Sequence, residues 1–230
     1  MDLNRLHPWD VSLEEAARLQ RELRERLVLR PPADFAPKLA AGADLSSTKT
    51  SPRVYAGFVV LSMAELTTVQ AHATVEEAAF PYVPGFLSFR ELPALAQAWR
   101  ALTVRPGVLV LDGQGTAHPR RMGIACHAGL VFGVPALGCA KSILVGTHDP
   151  LPPARGATAP LMHRGEVVGM AVRTRDNVAP VYVSPGHLMD LDTAVALVLQ
   201  LTPQGRYRLP ETTRRAHALV NDLRRRVEGG

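Results

Sequence analysis

The chain has 230 residues, 47% hydrophobic and 20% charged, a balance suited to one soluble α/β domain with a large core and poorly suited to disorder. No apolar run reaches membrane-spanning length, and the opening Met1-Asp2-Leu3-Asn4-Arg5 lacks the apolar core of a signal peptide, so a cytoplasmic protein is expected. Cys126 and Cys139 lack zinc-site spacing and read as buried free thiols, while a net charge of +5, carried mostly by arginine, favours a polyanionic partner.

Ser12 followed by Glu15 is a capping box, predicting a helix through Leu29 with Ala16, Leu19, Leu23 and Leu27 as its apolar stripe. Pro31 and Pro32 stop it. Strand-like runs at 39–46, 54–63 and 66–75, with a short turn between the last two, predict an antiparallel meander. Ser88 and Glu91 make a second capping box, with Ser88 as N-cap of a helix to Leu102. The unbroken apolar run 107–111 has the pattern of a strand buried on both faces. A helix at 122–132 and a short strand at 134–140 follow, then a Pro- and Gly-rich loop at 149–160. Strands at 166–173 and 178–183 precede helices at 190–201, with His187 placed to cap the first, and at 210–227. Three early strands followed by alternating helices and strands predict an α/β fold, a mixed sheet flanked by helices.

Three acids, Asp44, Glu91 and Asp112, stand where apolar stretches meet a turn or a helix start. Each has an ordinary reading: Glu91 as the capping-box acid, Asp112 before Gly113 as a turn residue, Asp44 as a strand end. An acid ending a hydrophobic strand is nevertheless costly to bury without a positive partner, and neither run around Asp44 or Asp112 contains Lys or Arg. A metal ion supplies that charge in this reading, and carboxylates without thiolates suit a hard cation such as magnesium.

The string Pro81-Tyr82-Val83-Pro84-Gly85-Phe86-Leu87-Ser88-Phe89-Arg90-Glu91, then Leu111-Asp112-Gly113-Gln114-Gly115 with His118-Pro119-Arg120-Arg121, Gly138-Cys139-Ala140-Lys141-Ser142 and Val183-Ser184-Pro185-Gly186-His187 resemble endonuclease V, from about Gly42 to His217. The resemblance implies an RNase H-like fold and a Mg²⁺-dependent endonuclease, with Mn²⁺ able to substitute. It implies DNA containing deoxyinosine as substrate, nicked at the second phosphodiester 3′ to the lesion to leave 3′-hydroxyl and 5′-phosphate ends. Asp44, Glu91, Asp112 and His217 would be its metal-binding residues, and Lys141 would sit near the scissile phosphate. Tyr82, on a stalk stiffened by Pro81 and Pro84, would wedge into the base stack. Gly85, Gly113, Gly115 and Gly123, with Pro84, Leu87 and Ile124, would line a hypoxanthine pocket, and His118 would contact the substrate backbone or order this loop. A monomer is expected.

Two positions depart from the family pattern: Ser46 is followed by Ser47-Thr48-Lys49 rather than an aromatic, and Cys126 stands where serine is common. The alternatives are inosine-containing RNA as substrate, a non-catalytic inosine or branched-nucleic-acid binding module, and a hydrolase of small phosphate esters.

Overall fold

The computed structural model describes residues 3–48, 50–203 and 206–229, so Lys49 lies outside the described residues. Eight strands among them form one sheet in the order β3-β2-β1-β4-β5-β8-β7-β6. In chain order these are β1 (Leu39–Ser47), β2 (Arg53–Ser62), β3 (Thr68–Glu77), β4 (Val108–Leu111), β5 (Ala136–Ala140), β6 (Thr158–His163), β7 (Glu166–Val172) and β8 (Val181–Pro185). The helices are α1 (Leu13–Arg24), α2 (Leu87–Arg100), α3 (Ile124–Phe132), α4 (Leu191–Gln200) and α5 (Glu211–Glu228). β1–β3 form the expected antiparallel meander, β4 joins β1 and β5 in parallel, and β6–β8 add an antiparallel extension. This is the mixed, helix-flanked sheet expected of an RNase H-like fold.

Period-two alternation divides the sheet residues between two cores. Ala41, Ala43, Phe58, Val60, Leu109 and Leu111 pack against Leu92, Leu95 and Trp99 of α2 and Phe132 of α3. Ala40, Val108, Val110, Leu137 and Val183 face Ala194, Leu197 and Val198 of α4. The four residues of β4 therefore serve both cores, which is why its sequence is apolar without alternation. Val59 and Leu61 meet Ala216 of α5, on the side of the sheet away from α2. Cys126 and Cys139 are buried and free, as expected. Among the described residues no helix is long and apolar enough to cross a membrane.

Several expectations are corrected. α2 begins at Leu87 with Phe86 as N-cap and no side-chain cap, so Ser88 lies inside the first turn and its hydroxyl pairs with His127. α1 ends at Arg24, followed by tightened i→i−3 turns to Leu27, because Val28 leaves to pair with His187 and Leu188. His187 therefore anchors that connection, and Asp190 caps α4 by accepting from the Thr193 N–H at 2.7 Å. β3 starts at Thr68, two residues late, because Leu66 turns the chain with φ 54°. The segment 158–163, assigned in part to a loop, is the edge strand β6.

Candidate functional site

The parallel register sets Ala43 opposite Leu111, so the next residues come side by side: Asp112 directly after the end of β4, and Asp44 within β1, three residues before its end at Ser47 rather than at the strand end expected. The Asp112 N–H donates to the Ala43 carbonyl at 3.2 Å, fixing the second chain against the first. Strand alternation turns Gly42 and Asp44 toward α5. A Cβ at Gly42 would lie 2.1 Å from the Thr212 carbonyl oxygen, so only glycine lets the start of α5 settle this closely on β1. One turn further along that helix, His217 Nδ1 reaches Asp44 Oδ2 at 3.0 Å. The other imidazole nitrogen is 2.9 Å from Asn221 Nδ2, which orients the ring.

Asp44, Asp112 and His217 each offer one ligand atom, and these atoms lie within 4.8 Å of one another. Burial, with the neighbouring charge of Asp112 adding to it, raises the Asp44 carboxyl to about 6. Two carboxylates pressed together and an imidazole alongside form a donor set that suits a small divalent cation, with water completing its shell. The Lys141 ammonium, at the end of β5, is paired with Asp112. The partners missing from the local runs thus arrive from far along the chain: the Lys141 ammonium at Asp112, 29 residues away, and the His217 imidazole at Asp44, 173 residues away.

Glu91 stands outside that cluster, near enough to feel the charge of Asp44. It accepts from Ser47 Oγ at 3.2 Å, and burial raises its carboxyl to about 7. Glu91, Asp112 and Lys141 all border an adjoining cavity of about 450 Å³. Of the expected pocket residues, Tyr82, Pro84, Gly85 and Leu87 lie on one side of this cavity, and Gly113, His118, Gly123 and Ile124 also line it. Gly115 does not: it is buried beneath, where a Cβ would meet the Pro185 carbonyl oxygen at 2.1 Å, and its N–H donates to Ser184 Oγ.

The Tyr82 segment is tied down at one atom. The Gly85 carbonyl accepts from Gln20 Nε2 at 3.0 Å, His118 Nε2 at 3.0 Å and Arg120 Nη2 at 2.8 Å. His118 also accepts from the Arg120 N–H, and burial first, then the Arg120 charge, lowers it to about 4. Its ring thus links the Gly85 carbonyl to the Arg120 backbone. The Arg120 guanidinium covers the Phe86 ring at 4.1 Å. Gln20 was not singled out from the sequence; a polar residue on the buried face of an amphipathic helix is the only signal it carries there. Ser88, Gln114, Ile143 and Leu144 of the cavity wall were also not foreseen.

The sequence profile of the Endonuclease V family matches residues 21–218. An Endonuclease V from Myxococcus xanthus (strain DK1622) is 65% identical over 94% of this chain and 92% of its own length. The crystal structure of the Endonuclease V from Streptomyces avermitilis matches with a TM-score of 0.90 at 42% identity, covering 96% of each chain. The Ciona intestinalis Endonuclease V, solved with a 24mer DNA containing an inosine followed by a ribo-adenosine, matches with a TM-score of 0.81 at 27% identity, over 94% of this chain and 98% of that one. By profile, by sequence identity over nearly the whole chain and by fold, this protein belongs to the endonuclease V family of nucleases.

Proposed function

We propose that the chain is a divalent-metal-dependent repair endonuclease that nicks DNA at the second phosphodiester 3′ to deoxyinosine, leaving 3′-hydroxyl and 5′-phosphate ends. The observation that carries this reading is the Asp44–Asp112–His217 cluster beside a cavity large enough for a base. The inosine-containing DNA held by the Ciona relative supports the choice of lesion.

Asp44, Asp112 and His217 would hold a Mg²⁺ or Mn²⁺ ion, which would supply Lewis acidity at the scissile phosphate and make water a better nucleophile. Lys141 places a positive charge beside Asp112, where it orients the attacking water and offsets charge gathering on the phosphoryl oxygens. Glu91, raised to about 7, is poised to take a proton near neutral pH, and it is the third carboxylate, and fourth residue, of the metal-binding set that the family resemblance implies. Tyr82 wedges into the stack vacated by the extruded base, on a loop held rigid through Gly85. Backbone groups of Gly85, Gly113 and Gly123 approach the base edge, with Pro84, Leu87 and Ile124 closing the pocket around it.

A second reading, cleavage of inosine-containing RNA, draws on the ribo-adenosine that follows the inosine in the Ciona complex. Labelled duplexes carrying deoxyinosine, riboinosine or neither, incubated with Mg²⁺, separate the two. The expected result is one nick, one nucleotide beyond the lesion, in the deoxyinosine strand only. An intact deoxyinosine strand beside a cleaved riboinosine strand reverses the assignment, and two intact strands overturn it.

A further inference from the structure

One hydrogen-bonded chain lies outside the acidic cluster and has no part in the chemistry above. His7 Nδ1 is 2.7 Å from the Pro8 carbonyl oxygen, His7 Nε2 is 2.7 Å from His127 Nε2, and His127 Nδ1 is 3.0 Å from Ser88 Oγ. A carbonyl oxygen can only accept, so His7 carries a proton on Nδ1. Burial lowers His7 and takes His127 well below the ordinary histidine value, so both rings are neutral. Neutral His7 then offers only a lone pair at Nε2. His127 must donate from its own Nε2–H, which leaves a lone pair at Nδ1. The Ser88 hydroxyl therefore donates to His127, and its oxygen retains only lone pairs for any other partner.

The order of protons is thus fixed from one end by a single peptide carbonyl. His127 is fully buried between His7, Trp9 and Phe89, with ring centroids 4.9 to 5.5 Å away, so its ring is held in place. Ser88, at the other end, belongs to the wall of the same cavity as Asp112 and Gly113, and lies one helical turn from Glu91. His7 and Trp9 precede the segment 21–218 that matches the family profile.

We propose that His7 and His127 are positioning residues that fix Ser88 as a hydrogen-bond acceptor on the cavity wall, favouring a base that presents a donor there, as the N1–H of a 6-keto purine does. Adenine, whose N1 is itself an acceptor, has no such donor at that position. This selection rests on the reading of the cavity as a base pocket.

The test has two readouts on the full chain. Nitrogen-15 spectra of the histidine rings, taken without nucleic acid, should show His127 protonated at Nε2 and His7 at Nδ1; His127 protonated at Nδ1 would overturn the proposal. In steady-state cleavage of a deoxyinosine strand, Ser88→Ala and His7→Phe should each raise KM about two- to tenfold, the size of one hydrogen bond, with the loss absent from kcat. The double variant should lose no more than the larger single loss, because both act through one oxygen. His7→Gln, whose side-chain carbonyl can still accept from His127, should return KM to within about twofold of the wild type. Additive losses, an unchanged KM in His7→Phe, or failure of His7→Gln to rescue would each overturn the proposal. Absence of cleavage by the wild type would instead overturn the function proposed above.

Discussion

Glu91 is the fifth residue of α2, just past its first turn, with one hydroxyl, from Ser47, as its hydrogen-bond donor, and burial raises its carboxyl to about 7. Because that folded-state value lies above the ordinary 4.5, the native protein binds more protons than the unfolded chain between about 4.5 and 7. Stability therefore falls as pH rises through this window, and the ionised carboxylate works against the fold at pH 8. In chelator-treated protein, Glu91→Gln should raise stability at pH 8 by on the order of 1 kcal/mol, since water still reaches the group, and the gain should vanish near pH 4. Denaturant unfolding at the two pH values measures this, and a variant less stable than the wild type at pH 8 would contradict it. Tyr82 supplies a second test. Tyr82→Ala removes stacking worth about 1–3 kcal/mol, so binding to a deoxyinosine duplex should weaken about tenfold while an unpaired substrate suffers less. Equal losses on both would leave Tyr82 as a packing residue of its loop. At this scale the sequence exposed Asp44 and Asp112 because an acid closing an apolar strand is chemically conspicuous. It did not expose the Lys141–Asp112 or His217–Asp44 pairs, since no periodicity joins residues so far apart.

Among the elements, the site depends on the contact between β1 and α5. Gly42→Ala would drive a methyl into the Thr212 carbonyl, so α5 must shift and carry His217 from Asp44. The expected cost is about 1–3 kcal/mol of stability, together with weaker Mn²⁺ binding. Thermal unfolding and a Mn²⁺ titration test both, and wild-type values in each would show that α5 does not seat the histidine. Element types were largely legible, because alternation, apolar runs and proline stops are local signals. The failures have physical causes. Ser88 and Glu91 match a capping box by spacing, yet His127 supplies a better-placed partner for the serine hydroxyl. Pro160 made 158–163 look unlike a strand, but β6 is an edge strand, where the absence of an N–H is tolerated. Leu27 continued the apolar stripe of α1, but the pairing of Val28 with the 187–188 segment ends the helix early.

Across the whole molecule, two mismatched requirements meet at the two central strands β1 and β4. The apolar strands β1 and β4 give the core its continuity, and their apolar runs give way to Asp44 and Asp112, carboxylates that the core cannot stabilise. The net charge of +5 lies largely on arginines, several of them on α5 beside the acidic cluster, where Arg224 reaches Ser46 Oγ at 3.0 Å. A divalent cation bound there, as proposed above, would offset the charge of the acids that a polyanion drawn to that face would meet. The fold class followed from the order of elements, whereas the choice of an RNase H-like sheet came from motif resemblance, since hydrophobic pattern alone does not fix strand order. The claim at the centre of this account is that Asp44 and Asp112 serve the metal-dependent step rather than lesion binding or folding. Single-turnover cleavage of a deoxyinosine duplex in Mg²⁺ by wild type and Asp112→Ala, with binding of the same duplex measured in parallel, tests it most directly. The wild type should give one nick at the second phosphodiester 3′ to deoxyinosine, and the variant none while still binding the duplex; cleavage by Asp112→Ala at the wild-type rate would contradict the account.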